Sequence, residues 1–246
     1  IDAPMLLHAQ SNLLGVNVLL PDQYAKAANQ PKKFTLDLTA NDNQPLKLKM
    51  NYAQQLDVAC ILEDENDSFQ LVGANISLGA GVAAWPKDDG LYISGNIPVL
   101  SWEKIKSYTD SKEGGSAKLG DLTLREIDVQ IGKLNLPSFP LTSVRLTIVP
   151  DDNTWDVGIN SSEMSGHVQL PKKFSARETI KAQFDRISVG GKASDNKSIT
   201  SFDSASLPSI IFSAEKVEYN NMSVGRVNFK TTSSRAGMTI NSFSVN

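Results

Sequence analysis

The side chains best equipped for chemistry are His8, His167, Cys60 and several carboxylate clusters, and their settings point away from a reactive centre. His167 falls in the alternating run Ser165-Gly166-His167-Val168-Gln169-Leu170, where a solvated histidine on the wet face of a strand competes with activation of a nearby serine. Cys60 lies within Val58-Ala59-Cys60-Ile61-Leu62, the context of a small buried or groove-facing hydrophobe rather than a nucleophile. Glu63-Asp64-Glu65-Asn66-Asp67-Ser68 carries the acids of a calcium loop. However, Phe69 and Asn75 stand where an EF-hand needs glycine and a bidentate glutamate, so an acidic hairpin tip is expected. Gly79-Ala80-Gly81-Val82-Ala83-Ala84 has the look of a dinucleotide fingerprint, which requires a helix N-terminus to face the pyrophosphate. Trp85-Pro86 and the turn Asp88-Asp89-Gly90 follow at once, so a flexible strand end is expected instead. Glycoside hydrolysis would bring two carboxylates together from distant strands, but Asp151-Asp152 belongs to a turn and aromatic residues are only 7% of the chain. G-x-S-x-G, H-E-x-x-H and phosphate-loop motifs do not occur. The expectation is a non-catalytic chain with no cofactor and no metal site.

Composition narrows the classes further. With 24 basic against 27 acidic residues the net charge is −3, which argues against nucleic acid as a partner, because phosphate binding needs a concentrated basic surface. One cysteine excludes an intrachain disulfide and any multi-cysteine metal site, and two histidines are too few for a three-histidine site. The chain opens Ile1-Asp2-Ala3-Pro4 without an initiator Met or a signal peptide, and no apolar run approaches the ~18 residues of a membrane span. It reads as a soluble piece of a longer protein, so the missing anchor says nothing about whether that protein has one.

The elements that must position these residues are strands. Period-two alternation marks Phe34–Thr39, Leu46–Met50, Leu91–Ile97, Val144–Ile148, Trp155–Ile159 and Val227–Lys230. Turn formers separate them, among them Asn41-Asp42-Asn43, Pro150-Asp151-Asp152-Asn153 and Gly190-Gly191. The pattern predicts roughly fourteen strands joined mostly by tight turns, hence antiparallel pairing. One or two short helices are expected: one at Trp102, with Ile105 and Tyr108 on the same side and Ser101 as cap, and a second candidate over Asp22–Asn29. Loops are expected over 110–118 and 190–206. A weak repeat links Gly15–Pro21, Gly95–Leu100 and Gly166–Pro171, read as strands, and suggests a single elongated array of about three units, roughly 1–90, 91–160 and 161–246.

Alternating strands have a dry face to cover. A second packed sheet would do so, giving a closed β-sandwich that serves as a scaffold, adhesion or carbohydrate-binding module. A long curved sheet could instead leave its concave face open to acyl chains. Pattern alone favours the sandwich, and it is a resemblance carried by ordered motifs along nearly the whole chain that points to the second form. They include Leu14-Gly15-Val16-Asn17-Val18-Leu19-Leu20-Pro21, Pro45-Leu46-Lys47-Leu48, Ile76-Ser77-Leu78-Gly79 and Gly90-Leu91-Tyr92-Ile93-Ser94-Gly95 followed by Trp102. The most specific are Trp155-Asp156-Val157-Gly158-Ile159 and Ser165-Gly166-His167-Val168-Gln169-Leu170-Pro171. A closing block runs from Leu207-Pro208-Ser209-Ile210-Ile211 through Tyr219 and Val224-Gly225 to Gly237-Met238-Thr239-Ile240.

In these motifs the chain resembles the YhdP family of the AsmA-like superfamily of bacterial envelope proteins. The resemblance implies an all-β, elongated groove of repeating antiparallel strands of the bridge-like lipid transfer type, without catalytic residues. It further implies a periplasmic segment of a protein anchored in the inner membrane. That protein would conduct phospholipids between inner and outer membranes, with acyl chains in the groove, headgroups in water, and the membranes met through parts outside this chain. The fragment itself is expected to be monomeric. The residues expected on the dry face are Val16, Val18, Leu36, Leu38, Leu46, Leu48, Leu91, Ile93, Val144, Leu146, Ile148, Trp155, Val157, Ile159, Val168 and Leu170, joined by Phe212, Val227, Phe229, Met238 and Ile240.

Overall fold

A computed structural model describes residues 4–20, 24–42, 44–65, 68–103, 122–137, 139–173, 175, 177–190, 208–234 and 237–246. Among the described residues the extended regular structure is β: β1 (Met5–Ser11), β2 (Phe34–Ala40), β3 (Leu46–Tyr52), β4 (Leu56–Glu65), β5 (Ser68–Leu78), β6 (Gly90–Ser101), β7 (Leu124–Asn135), β8 (Pro140–Pro150), β9 (Thr154–Asn160), β10 (Met164–Pro171), β11 (Thr179–Val189), β12 (Ser209–Tyr219), β13 (Met222–Ser234) and β14 (Gly237–Val245). Hydrogen bonds join them in chain order into one fourteen-stranded sheet. The all-β expectation, the strand number and the single sheet hold, and among the described residues no second sheet packs on it as a sandwich would require. Contacts divide the chain into two compact units, one of residues 1–97 and 104–129, the other of 98–103 and 130–246, so the boundary cuts across β6 and β7.

Most neighbours are antiparallel, as tight turns require. The exceptions include β5, which runs parallel to β6, and β11, which runs parallel to β12. A parallel neighbour needs a crossover, and between β5 and β6 it is the 79–89 segment. The expected strand end at Gly79–Ala84 is the start of this strap. Ala83 in the strap is buried and donates its N–H to Asp57 Oδ1 (2.7 Å), while Asn75 Nδ2 donates to the Ala84 carbonyl (2.9 Å). Two glycines make the parallel register feasible. Gly95 has φ +118°, and a Cβ there would overlap the Leu78 carbonyl oxygen. Gly79 has φ +80°, with the Asn96 carbonyl oxygen 2.8 Å from where its Cβ would sit.

The N-terminal expectations need two corrections. Residues 15–20 are not a strand of the sheet and residues 24–29 are not an α-helix, while Pro21, Asp22 and Gln23 lie outside the described residues. Val18 and Lys26 instead form an isolated antiparallel bridge, exchanging backbone hydrogen bonds of 2.9 and 3.0 Å, and Gly15 N–H donates to the Ala28 carbonyl (2.7 Å). Lys26 explains the outcome. Its side chain is buried, and Nζ donates to the carbonyls of Val16 (2.7 Å) and Ala27 (3.1 Å), a tertiary arrangement that overrides the weak helix preference of a short polar segment. Of the helix expected at Trp102, only Trp102 and Glu103 are described, and both are helical. Ile105, Tyr108 and the 110–118 loop lie outside the described residues, as do 191–206 of the second loop.

Candidate functional site

Because side chains alternate along each strand, register decides what shares a face. In the first unit the pairings line up Leu7, Leu38, Leu48, Cys60, Ala74 and Leu91 in one row across β1 to β6. The adjacent row on the same face is Ala9, Leu36, Met50, Val58, Ile76 and Ile93. Leu46, Leu62 and Leu71 begin a further row at one end of the strands. The opposite face carries the rows His8, Asp37, Lys49, Ala59, Asn75, Tyr92 and Gln10, Thr35, Asn51, Asp57, Ser77, Ser94. One face of this unit is therefore almost purely aliphatic and the other polar.

Only the middle of the aliphatic face is closed off. Val58, Cys60 and Ala74 are buried, whereas Leu36, Leu38, Leu46, Leu48, Met50, Ile76, Leu91 and Ile93 are half-buried. Leu48, Met50, Leu62, Leu71, Ile76, Leu91 and Leu122 pack against that centre. Burial pushes the Cys60 thiol above its ordinary range. Strand β4 is apolar without alternation because both its faces are covered. On the polar side Ala59 is fully buried and Asp57 accepts hydrogen bonds from the strap and from Asn51. Lys47 and Lys49 each place Nζ within 6 Å of the Trp85 ring on that side, at 5.8 and 5.9 Å from its centroid.

The second unit repeats the arrangement. Ile148, Val157, Val168, Ala182, Phe212, Phe229 and Phe243 form one row over β8 to β14. Leu146, Ile159, Gly166, Phe184, Ala214, Val227 and Val245 form the next. Pro150, Trp155 and Leu170 extend the face at one end, and Ile240 opposite Thr231 and Met238 opposite Ser233 extend it on β14. Phe212 lies between Phe184 and Phe229, at centroid distances of 5.8 and 4.7 Å, the second pair stacked. Its reverse face is polar: Thr147, Gly158, His167, Gln183, Ser213, Asn228 and Ser244 make up one row. His167 is solvent-exposed there, as its alternating context implied.

The structure thus places Leu36, Leu38, Leu46, Leu48, Leu91 and Ile93 together in the first unit. It places Val144, Leu146, Ile148, Trp155, Val157, Ile159, Val168, Leu170, Phe212, Val227, Phe229, Met238 and Ile240 together in the second. Val144 is fully buried and Ile240 mostly exposed, so they mark the extremes. Val16 and Val18 stand apart, in the loop paired with Lys26. Sequence reading passed over Val58, Ala74, Ile76, Ala182 and Phe184. Ile180-Lys181-Ala182-Gln183-Phe184 does alternate, and that signal would have found the last two.

The model of one family, described as YhdP protein, matches residues 4–246. The chain belongs to the YhdP family. No curated protein and no solved structure matches it. As a YhdP-family chain it carries, in each unit, a sheet with one aliphatic and one polar face.

Proposed function

We propose that the aliphatic faces hold the acyl chains of phospholipids, and that this chain is a non-catalytic segment of an envelope protein that conducts phospholipids through the periplasm between inner and outer membranes. One observation carries the reading. The aliphatic rows run over strand after strand of a single sheet, and among the described residues no second sheet closes them, so large apolar side chains stay half exposed. Apolar surface left in that state in a soluble protein marks a place where something apolar binds. Each methylene moved from water onto such a surface gains about 0.8 kcal/mol, enough to hold a chain while the lack of charged side chains within the rows lets it slide. Membership of the YhdP family supports the transport setting.

The test is native mass spectrometry with lipid extraction on protein purified without denaturant. Phospholipid is expected to co-purify, and to fall to about half in Leu146→Asp or Val157→Asp proteins, whose first-unit face is intact and which melt within a few degrees of the wild type. A lipid-free protein that also excludes added fluorescent phospholipid sinks the reading.

A further inference from the structure

At one end of the first unit's aliphatic face, strand β5 runs past the start of β6, whose first residue Gly90 pairs with Gly73. The notch left beside the overhang holds a cavity of about 660 Å³, within the roughly 300–1,000 Å³ of small-molecule sites. Leu62, Leu71 and Leu122 line it and also pack against the buried centre of the aliphatic face, so the cavity is continuous with that face. Phe69 adds an aromatic wall that is 63% exposed. Among these apolar walls stand two opposite charges, Arg125 and Asp89. Arg125 Nε donates to the main-chain carbonyl of Asp89 (3.0 Å), which fixes the guanidinium beside that residue. Among the described residues its Nη groups have no hydrogen-bond partner, and the Asp89 carboxylate makes no ion pair with it.

A cation and a carboxylate that, among the described residues, have no ionic partner and that both line a cavity opening onto an aliphatic surface match one chemistry. We infer that this notch is a headgroup site for a zwitterionic amphiphile: Arg125 takes the phosphate, Asp89 takes an ammonium two carbons away, and the attached chain lies along Leu62 and Leu71 towards the aliphatic face. The inference rests on the proposed acyl-chain binding and adds a preferred head and a place of entry. The guanidinium suits a phosphate because two parallel N–H donors meet two oxygens. Asp89 supplies discrimination, since a head with a hydroxyl in place of the ammonium leaves the carboxylate without a cation.

Calorimetry with the whole chain tests this, using single-chain lysophosphatidylethanolamine and lysophosphatidylglycerol below their micelle concentrations. The wild type is expected to prefer the ethanolamine head. Arg125→Gln should weaken both lipids by about tenfold, the size of a lost charge-assisted hydrogen bond, and Arg125→Lys should restore part of the loss. Asp89→Asn, which keeps the carbonyl that holds Arg125, should weaken only the ethanolamine lipid and abolish the preference. Circular dichroism melts establish that each variant folds. Equal binding of the two lipids by wild type, or a preference that survives Asp89→Asn, overturns the headgroup site while leaving acyl-chain binding intact. Chain-free phosphoethanolamine binding as tightly as its lysolipid would also overturn it, by making the notch a site for a soluble phosphate. Failure of the wild type to bind either lysolipid or any added phospholipid removes the acyl-chain reading itself.

Discussion

Among single residues, Cys60 reports most directly on the aliphatic face. It stands between Leu48 and Ala74 in the row that crosses six strands, 7% exposed, with its thiol pushed upward by burial. Thiolate is the reactive form, so folding should slow alkylation twice, by excluding reagent and by suppressing ionisation. Iodoacetamide at pH 8 is expected to modify Cys60 at least roughly tenfold more slowly in the native protein than in urea, followed by intact mass. Equal rates would show that water reaches the centre of the face. Glu163 is a second reporter, on the turn between β9 and β10. Burial works to raise its carboxyl. The hydrogen bonds it accepts from Thr142 Oγ1 (2.6 Å) and N–H (2.8 Å), with further ones from its own N–H and from Ser161, outweigh that and hold it below the ordinary value. A carboxyl whose folded pKa lies below the unfolded one stabilises the fold fully above the unfolded value of about 4.3, and loses that contribution as pH falls through the folded value. Glu163→Gln should therefore lower the melting temperature at pH 7 by about 2–4 °C, for about 1 kcal/mol, and much less at pH 3. An equal deficit at both pH values would assign the loss to packing rather than to the carboxylate.

At the level of elements, the strap between β5 and β6 is fastened by a few polar contacts rather than by bulk. Asp57 is 4% exposed and accepts both the Ala83 N–H and Asn51 Nδ2 (3.0 Å). Asp57→Ala leaves one buried and one half-buried donor without this partner, a cost of about 2–3 kcal/mol, which for a chain of this size lowers melting by several degrees. Thermal melts check this, and native-state proteolysis at the strap should accelerate alongside; an unchanged melt would mean that the strap is held by Trp85 and its lysines instead. The strap also shows where reading the sequence stops. Alternation in Leu46–Met50 or Trp155–Ile159 revealed both the strand and its dry side, because an open sheet writes its two environments directly into period two. Strand β4 hid its orientation, since the strap buries Ala59 on the polar side and the run Val58–Leu62 reads as uniformly apolar. Parallel pairing at β5–β6 and β11–β12 was equally silent. It depends on where a connection returns along the sheet, and locally it is marked only by glycines such as Gly95. Val16 and Val18 misled because their alternation is real, yet Gly15 and Leu13 adopt positive φ and Lys26 captures the segment in a loop of its own.

For the whole molecule, the decisive feature is that the aliphatic face occurs twice, once in each compact unit, each with its own rows and its own polar reverse. Two faces of one chemistry can act as independent storage sites or as successive stages of one passage, and charge placed on each face separates these cases. Leu48→Asp alters the first unit and Val157→Asp the second. Both positions are half-buried, so a carboxylate keeps contact with water and the fold should survive, unlike a charge sealed in a core. Independent sites lose lipid in proportion: each single variant retains about half of the co-purifying phospholipid and the double variant none. Successive stages behave differently in a transfer assay in which the protein moves fluorescent phospholipid between donor and acceptor vesicles. There a single block stops flux as completely as two, even though the untouched unit still retains lipid on extraction. The conducting function proposed above requires the second pattern. Half-rates in the single variants would leave the chain a lipid-binding protein whose two faces work in parallel.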